Sequence, residues 1–94
     1  MGAEVKAHLF ISGRVQGVFY RAFTRDMATH LRLKGWVRNL PDGNVEAVFE
    51  GDRNAIELAI KECSSGPPGA RVDNIDVEWG ERAGDINDFQ IRYY

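Results

Sequence analysis

The order of hydrophobic periodicities is the feature that most limits what this chain can become. Apolar residues Val5, Ala7, Leu9 and Ile11 alternate over residues 5–12, the two-residue period of a strand with one buried face. Phe19, Phe23, Met27 and Leu31 then recur every four positions, one stripe of a helix running from Arg21 to about Leu33. Lys34 and Gly35 close that helix, a cation for its C-terminal dipole and a glycine for a left-handed cap. Residues 36–40 and 44–50 read as two strands joined through Pro41-Asp42-Gly43-Asn44, a hairpin with Val45, Ala47 and Phe49 inward. Asp52 caps a second helix whose buried face is Ile56, Ala59, Ile60 and Cys63. Ser64-Ser65-Gly66-Pro67-Pro68-Gly69 cannot stay helical. A fourth strand follows over about 72–79 with Ile75, Val77 and Trp79 inward, then a polar loop, then Phe89, Ile91 and Tyr93 alternating in a short last strand.

This order, β-α-β-β-α-β plus a short C-terminal strand, predicts an α+β fold: a ferredoxin-like sandwich with an antiparallel sheet and two helices on one face. Right-handed crossovers leave a gap between strands 1 and 2 that strand 3 fills. Strands 1 and 2 then run parallel and end at the same sheet edge, roughly 10 Å apart with one strand between them. Asn39, two residues beyond the inward-facing Val37, points to the helix side at that edge. If the last strand runs antiparallel to strand 4, Tyr94 reaches this edge too and its carboxylate pairs with Arg21; the alternative is a solvated terminus.

At this edge stands Gly13-Arg14-Val15-Gln16-Gly17-Val18-Phe19-Tyr20-Arg21, which leaves strand 1 and opens helix 1. A loop of backbone N–H groups entering a helix N-terminus is suited to holding a phosphate. Gly17, with no Cβ, lets a ligand approach the backbone. Arg21 in the first helical turn adds a guanidinium fork that grips two phosphate oxygens at once. Taken alone, the stretch also reads as a tight turn before an ordinary helix.

Composition removes other chemistries. A formal net charge of −2 with no run of like charges argues against a nucleic-acid partner. The sequence has no apolar run near 18 residues, and residues 1–6 lack the apolar core of a secretory signal. Met1-Gly2 resembles an acylation start, but Lys6 stands where that signal needs Ser or Thr. The single cysteine, Cys63, excludes an internal disulfide and is read as a packing residue. His8 and His30 lack ligand-spaced partners, so no metal and no cofactor are expected. The 94 residues are expected to form one domain spanning 1–94, a cytoplasmic monomer with no membrane association.

The nine-residue stretch above, followed by Gly35-Trp36-Val37-Arg38-Asn39 and Asp42-Gly43-Asn44-Val45-Glu46, resembles the acylphosphatase family, and the likeness spans the chain. The resemblance implies the ferredoxin-like fold and hydrolysis of the carboxyl–phosphate bond of small acyl phosphates. It implies that Arg21 is the phosphate-binding arginine and that Asn39 positions the attacking water. It also implies that Val15, Gln16, Gly17, Val18, Phe19 and Tyr20 supply a backbone phosphate cradle. No side-chain role is assigned to Arg14 or Gln16. The chemistry is consistent with these residue types. A carboxylate leaves without a general acid, so positioning and charge stabilisation suffice without metal or thiolate. Two alternatives remain. One is a non-catalytic ferredoxin-like anion- or RNA-binding regulatory module with His8, Phe10, Trp36 and Arg38 on an open sheet face. The other is a domain of a larger carbamoyl-transferring enzyme, against which a chain ending at Tyr94 is expected to be free-standing.

Overall fold

A computed structural model describes residues 4–93. The elements are β1 (Glu4–Arg14), α1 (Tyr20–His30), β2 (Lys34–Asn39), β3 (Val45–Asp52), α2 (Arg53–Ser65), β4 (Arg71–Glu81) and β5 (Phe89–Arg92). Their order in the sheet is β4-β1-β3-β2-β5, so β3 does lie between β1 and β2. Both helices cover the face that carries Ala7, Leu9, Ile11, Val37, Ala47 and Phe49. β3 is central, and all its residues but the last are buried.

Four strands pair antiparallel, but β5 pairs parallel with β2, which makes the sheet mixed. The pairing of the last strand with β4 is therefore overturned. Against β2, Phe89 is buried and stacks on Phe49 with ring centres 5.5 Å apart. The segment joining β4 to β5 is tied across the far end of the sheet. Gly84 N–H donates to the buried Glu50 carboxylate at 3.2 Å, Arg82 pairs with Glu4, and Gly35 N–H donates to the Asp88 carbonyl at 2.9 Å. The expectation for Tyr94 lies outside the described residues, as does that for Met1-Gly2.

Helix 1 differs from its sequence reading in two ways. Its buried stripe is Tyr20, Thr24 and Ala28, with Met27 and Leu31 packed at the flank and Phe19 outside the helix and exposed. The smaller Thr24 and Ala28 let the helix approach the sheet closely, and the Thr24 hydroxyl is satisfied by the Tyr20 carbonyl at 2.8 Å. The left-handed residue after the helix is Arg32 (φ 60°), not Gly35, with Leu33 N–H returning to the Ala28 carbonyl at 2.9 Å. Gly35 instead sits inside β2, where a Cβ would fall 1.8 Å from the Val48 carbonyl oxygen, so the strand pairing itself demands glycine.

Other local signals hold. The Asp42 carboxylate accepts from Asn44 N–H at 3.0 Å in the hairpin turn, and Asp52 caps α2 by accepting from Ala55 N–H at 3.1 Å. Ile56, Ala59 and Cys63 are buried, with Ile60 at their margin. Trp79, expected inward, is 39% exposed: β4 is an edge strand, and the Arg53 guanidinium lies 4.2 Å from the centre of its indole.

Register then decides what meets at the upper edge. Ile75, Ile11, Val45 and Asn39 form one row across four strands on the helix side. β1, β2 and β5 run in one direction, so Arg14, Asn39 and Arg92 all finish at the edge where α1 begins.

Candidate active site

Phe19 takes the cap position of α1 in the left-handed region (φ 62°, ψ 27°), and no side chain caps the helix. The first turn also carries no acidic residue. The α1 terminus thus keeps free N–H donors and the positive end of its dipole directed out of the protein, an arrangement that favours an anion. Gly17 has φ 74° and open space around its Cα, so the loop backbone is accessible there. Val15 is buried and anchors the start of the loop in the core.

Arg21 and Asn39, with Val15, Gly17, Phe19 and Tyr20, line a single cavity of about 270 Å³ completed by Ala22, Ile91 and Tyr93. That volume lies near the lower end of the roughly 300–1,000 Å³ usual for small-ligand pockets. The Arg21 guanidinium carbon lies 4.9 Å from the centre of the Tyr93 ring. Asn39 Oδ1 is buried with no hydrogen-bond partner among the described residues. A buried carboxamide oxygen left unpaired in this way is available to a polar group entering the cavity.

Two residues of the predicted cradle do not line the cavity. Val18 packs against the core. Gln16 turns its side chain across to the β2–β3 hairpin, where Nε2 donates to the carbonyls of Leu40 and Asn44, each at 2.8 Å. This contact joins the loop to the residue that follows Asn39. The sequence reading missed it, although a long carboxamide in the middle of the loop was the available signal.

Tyr20 contributes to the cavity wall while its phenol enters the core and donates to the Cys63 carbonyl at 2.7 Å. Burial first, then the proximity of Cys63, raises the Tyr20 phenol above its ordinary range. Burial likewise pushes the Cys63 thiol up to about 12, against opposing hydrogen bonds from Tyr20 and Thr24, so it stays protonated and acts as a packing group.

The opposite sheet face carries a separate polar cluster. The buried Glu46 accepts from His8 Nε2 and from Arg38 Nε, both at 2.6 Å. Burial alone would raise the Glu46 carboxyl, but these hydrogen bonds and the charges of Arg38 and His8 outweigh it and hold the carboxyl below its usual range. Trp36 lies between the guanidinium groups of Arg38 (5.5 Å) and Arg92 (5.0 Å). A carboxylate therefore occupies the centre of the face on which an RNA-binding reading relied. His30 is exposed in the last turn of α1. Among the described residues no cluster of His, Cys, Asp or Glu is arranged to hold a metal, and no helix is long and apolar enough to cross a membrane.

The acylphosphatase family model matches residues 7–91. An acylphosphatase of Anaeromyxobacter dehalogenans is 50% identical over 93 residues, covering 99% of this chain and 100% of the relative. An acylphosphatase of Chloroflexus aurantiacus is 56% identical over 87 residues, covering 93% and 95%. Among solved structures, the acylphosphatase from Bacillus subtilis superposes with a TM-score of 0.92 at 34% identity, covering 95% of this chain and 99% of that one.

Proposed function

This chain belongs to the acylphosphatase family of acid-anhydride hydrolases, and we propose that it hydrolyses small acyl phosphates through in-line attack of one water on phosphorus. Arg21 and the N–H groups of the loop that opens α1 hold the phosphoryl oxygens and stabilise their charge as the bond to the leaving carboxylate breaks. The Asn39 carboxamide orients the water on the side opposite the leaving oxygen. An amide is too weak a base to take the proton, so its part is geometric. The carboxylate departs as a weak base and needs no general acid.

The observation that carries this reading is that Arg21 and Asn39 line one cavity beside an uncapped helix terminus. Supporting it, the groups a different mechanism would need are engaged elsewhere: Cys63 and Tyr20 in the core, His8 with Glu46 on the far face. The test is hydrolysis of benzoyl phosphate, followed by loss of its absorbance, with and without EDTA. Turnover unaffected by the chelator is expected. No turnover, or turnover abolished by EDTA and restored by Mg²⁺, refutes the mechanism.

A further inference from the structure

Four large apolar residues are exposed among the described residues: Phe19, Leu58, Trp79 and Tyr93. The two most exposed, Phe19 at 85% and Tyr93 at 79%, both border the cavity that holds Arg21 and Asn39. Phe19 gains nothing visible for the fold. Its ring is outside the core and caps no helix group, and its backbone sits at φ 62°, a conformation that side-chain-bearing residues adopt only at a cost. A glycine would hold that backbone without strain. A bulky ring kept there, beside an anion cradle, is a ring presented to whatever the anion is attached to.

With the phosphoryl group among the loop amides, Arg21 and Asn39, the acyl substituent leaves through the mouth of the cavity. It meets Phe19 and Tyr93 there, with Ile91 and Ala22 on the wall. One face of Tyr93 is turned to Arg21, which leaves its edge and outer face for the substituent. None of these four side chains offers a buried charge or a convergent donor set for a polar acyl group. Apolar and above all aromatic acyl groups gain contact area and ring–ring attraction in such a mouth, whereas an acetyl group reaches little of it.

We infer that Phe19, which borders the same cavity as Tyr93, forms an acyl subsite that selects aromatic acyl phosphates over acetyl phosphate. This rests on the acylphosphatase reading above and adds to it the determinant of acyl preference. Both substrates share the phosphoryl end, so any damage to the cradle lowers both rates and cancels in their ratio.

The experiment measures kcat/KM for benzoyl phosphate and for acetyl phosphate in the unaltered chain, in Phe19→Ala and in Phe19→Gly, the last relieving the backbone. The benzoyl-to-acetyl ratio is expected to fall by about three- to tenfold in both variants, the size of a lost aromatic contact. The same ratio is read without turnover from the Kd values of benzoylphosphonate and acetylphosphonate by calorimetry, so a variant too slow to assay still reports. A ratio unchanged in both variants, by rate and by binding, overturns the subsite. If the unaltered chain hydrolyses neither substrate, the proposed activity fails, while the phosphonate ratio still tests the subsite by itself.

Discussion

Arg21, in the first turn of α1, and Tyr93, just beyond β5, meet with the guanidinium carbon 4.9 Å from the ring centre. The contact exists because β5 runs parallel to β2 and so finishes at the edge where α1 starts. A cation held over a ring is restrained in where it can point. An exposed pair of this kind is worth about 0.5–1 kcal/mol. Tyr93→Leu should therefore weaken competitive inhibition by inorganic phosphate about two- to fivefold, and Tyr93→Phe should restore it. Arg21→Lys, which keeps the charge and loses the fork, should weaken phosphate by roughly tenfold or more. Inhibition constants unchanged in Arg21→Lys would remove Arg21 from phosphate binding.

Asn39→Ala should cut kcat by roughly 10²–10³ by analogy with loss of one transition-state hydrogen bond. Its Oδ1 has no partner among the described residues, so alanine breaks no internal hydrogen bond there and Tm should stay unchanged or rise. Paired kinetics and thermal melts check this. A near-normal kcat would exclude Asn39 from the chemistry.

Gln16 links the two halves of the site. Gln16→Leu removes both donors to the Leu40 and Asn44 carbonyls. The loss should be about 1–2 kcal/mol of stability, which corresponds to a Tm fall of roughly 4–16 °C in a domain of this size. With Asn39 no longer held in step with the loop, kcat should also drop, by about tenfold. A lower Tm with kcat and KM intact would show the bridge to serve stability alone.

Glu46 should make stability depend on pH. Its folded carboxyl lies below its ordinary value, so it contributes fully above the unfolded value of about 4.3 and loses that contribution as pH falls through the lower folded value. Glu46→Gln should destabilise by roughly 1–3 kcal/mol at pH 7. The Tm gap to the unaltered chain should begin to close below about pH 5 and vanish in stronger acid. Hydrolysis at pH 7 should change little, because Glu46 lies on the sheet face away from the cavity. A gap independent of pH down to acid unfolding would contradict the assignment.

The parts of the site that were legible in the chain are those written in local order. Gly17 and Arg21 stand four residues apart in one loop-to-helix junction, and Asn39 ends a strand whose alternation starts at Val37. The parts that were not legible depend on partners far along the chain. The Gln16 bridge spans 24 and 28 positions, Tyr20 reaches Cys63 over 43, and His8 meets Glu46 over 38. Periodicity also misplaced the buried stripe of α1, because hydrophobicity ranks Phe23 and Met27 above Thr24. Close packing against the sheet instead prefers the smaller side chain whose hydroxyl is satisfied within the helix.

By itself the amino-acid order determined the strand–helix succession, the hairpin turn, the cap of α2 and the glycine-bearing loop that opens α1. Each of these rests on interactions within a few residues, where backbone sterics and side-chain period leave few choices. Only the tertiary structure decided that the last strand joins β2 rather than β4. That choice brings the ring of Tyr93 to Arg21 and an aromatic wall to the mouth of the cavity. It was made by burial of Phe89 against Phe49 and by ties across the far sheet edge, and those depend on surfaces that exist only once the other strands have assembled.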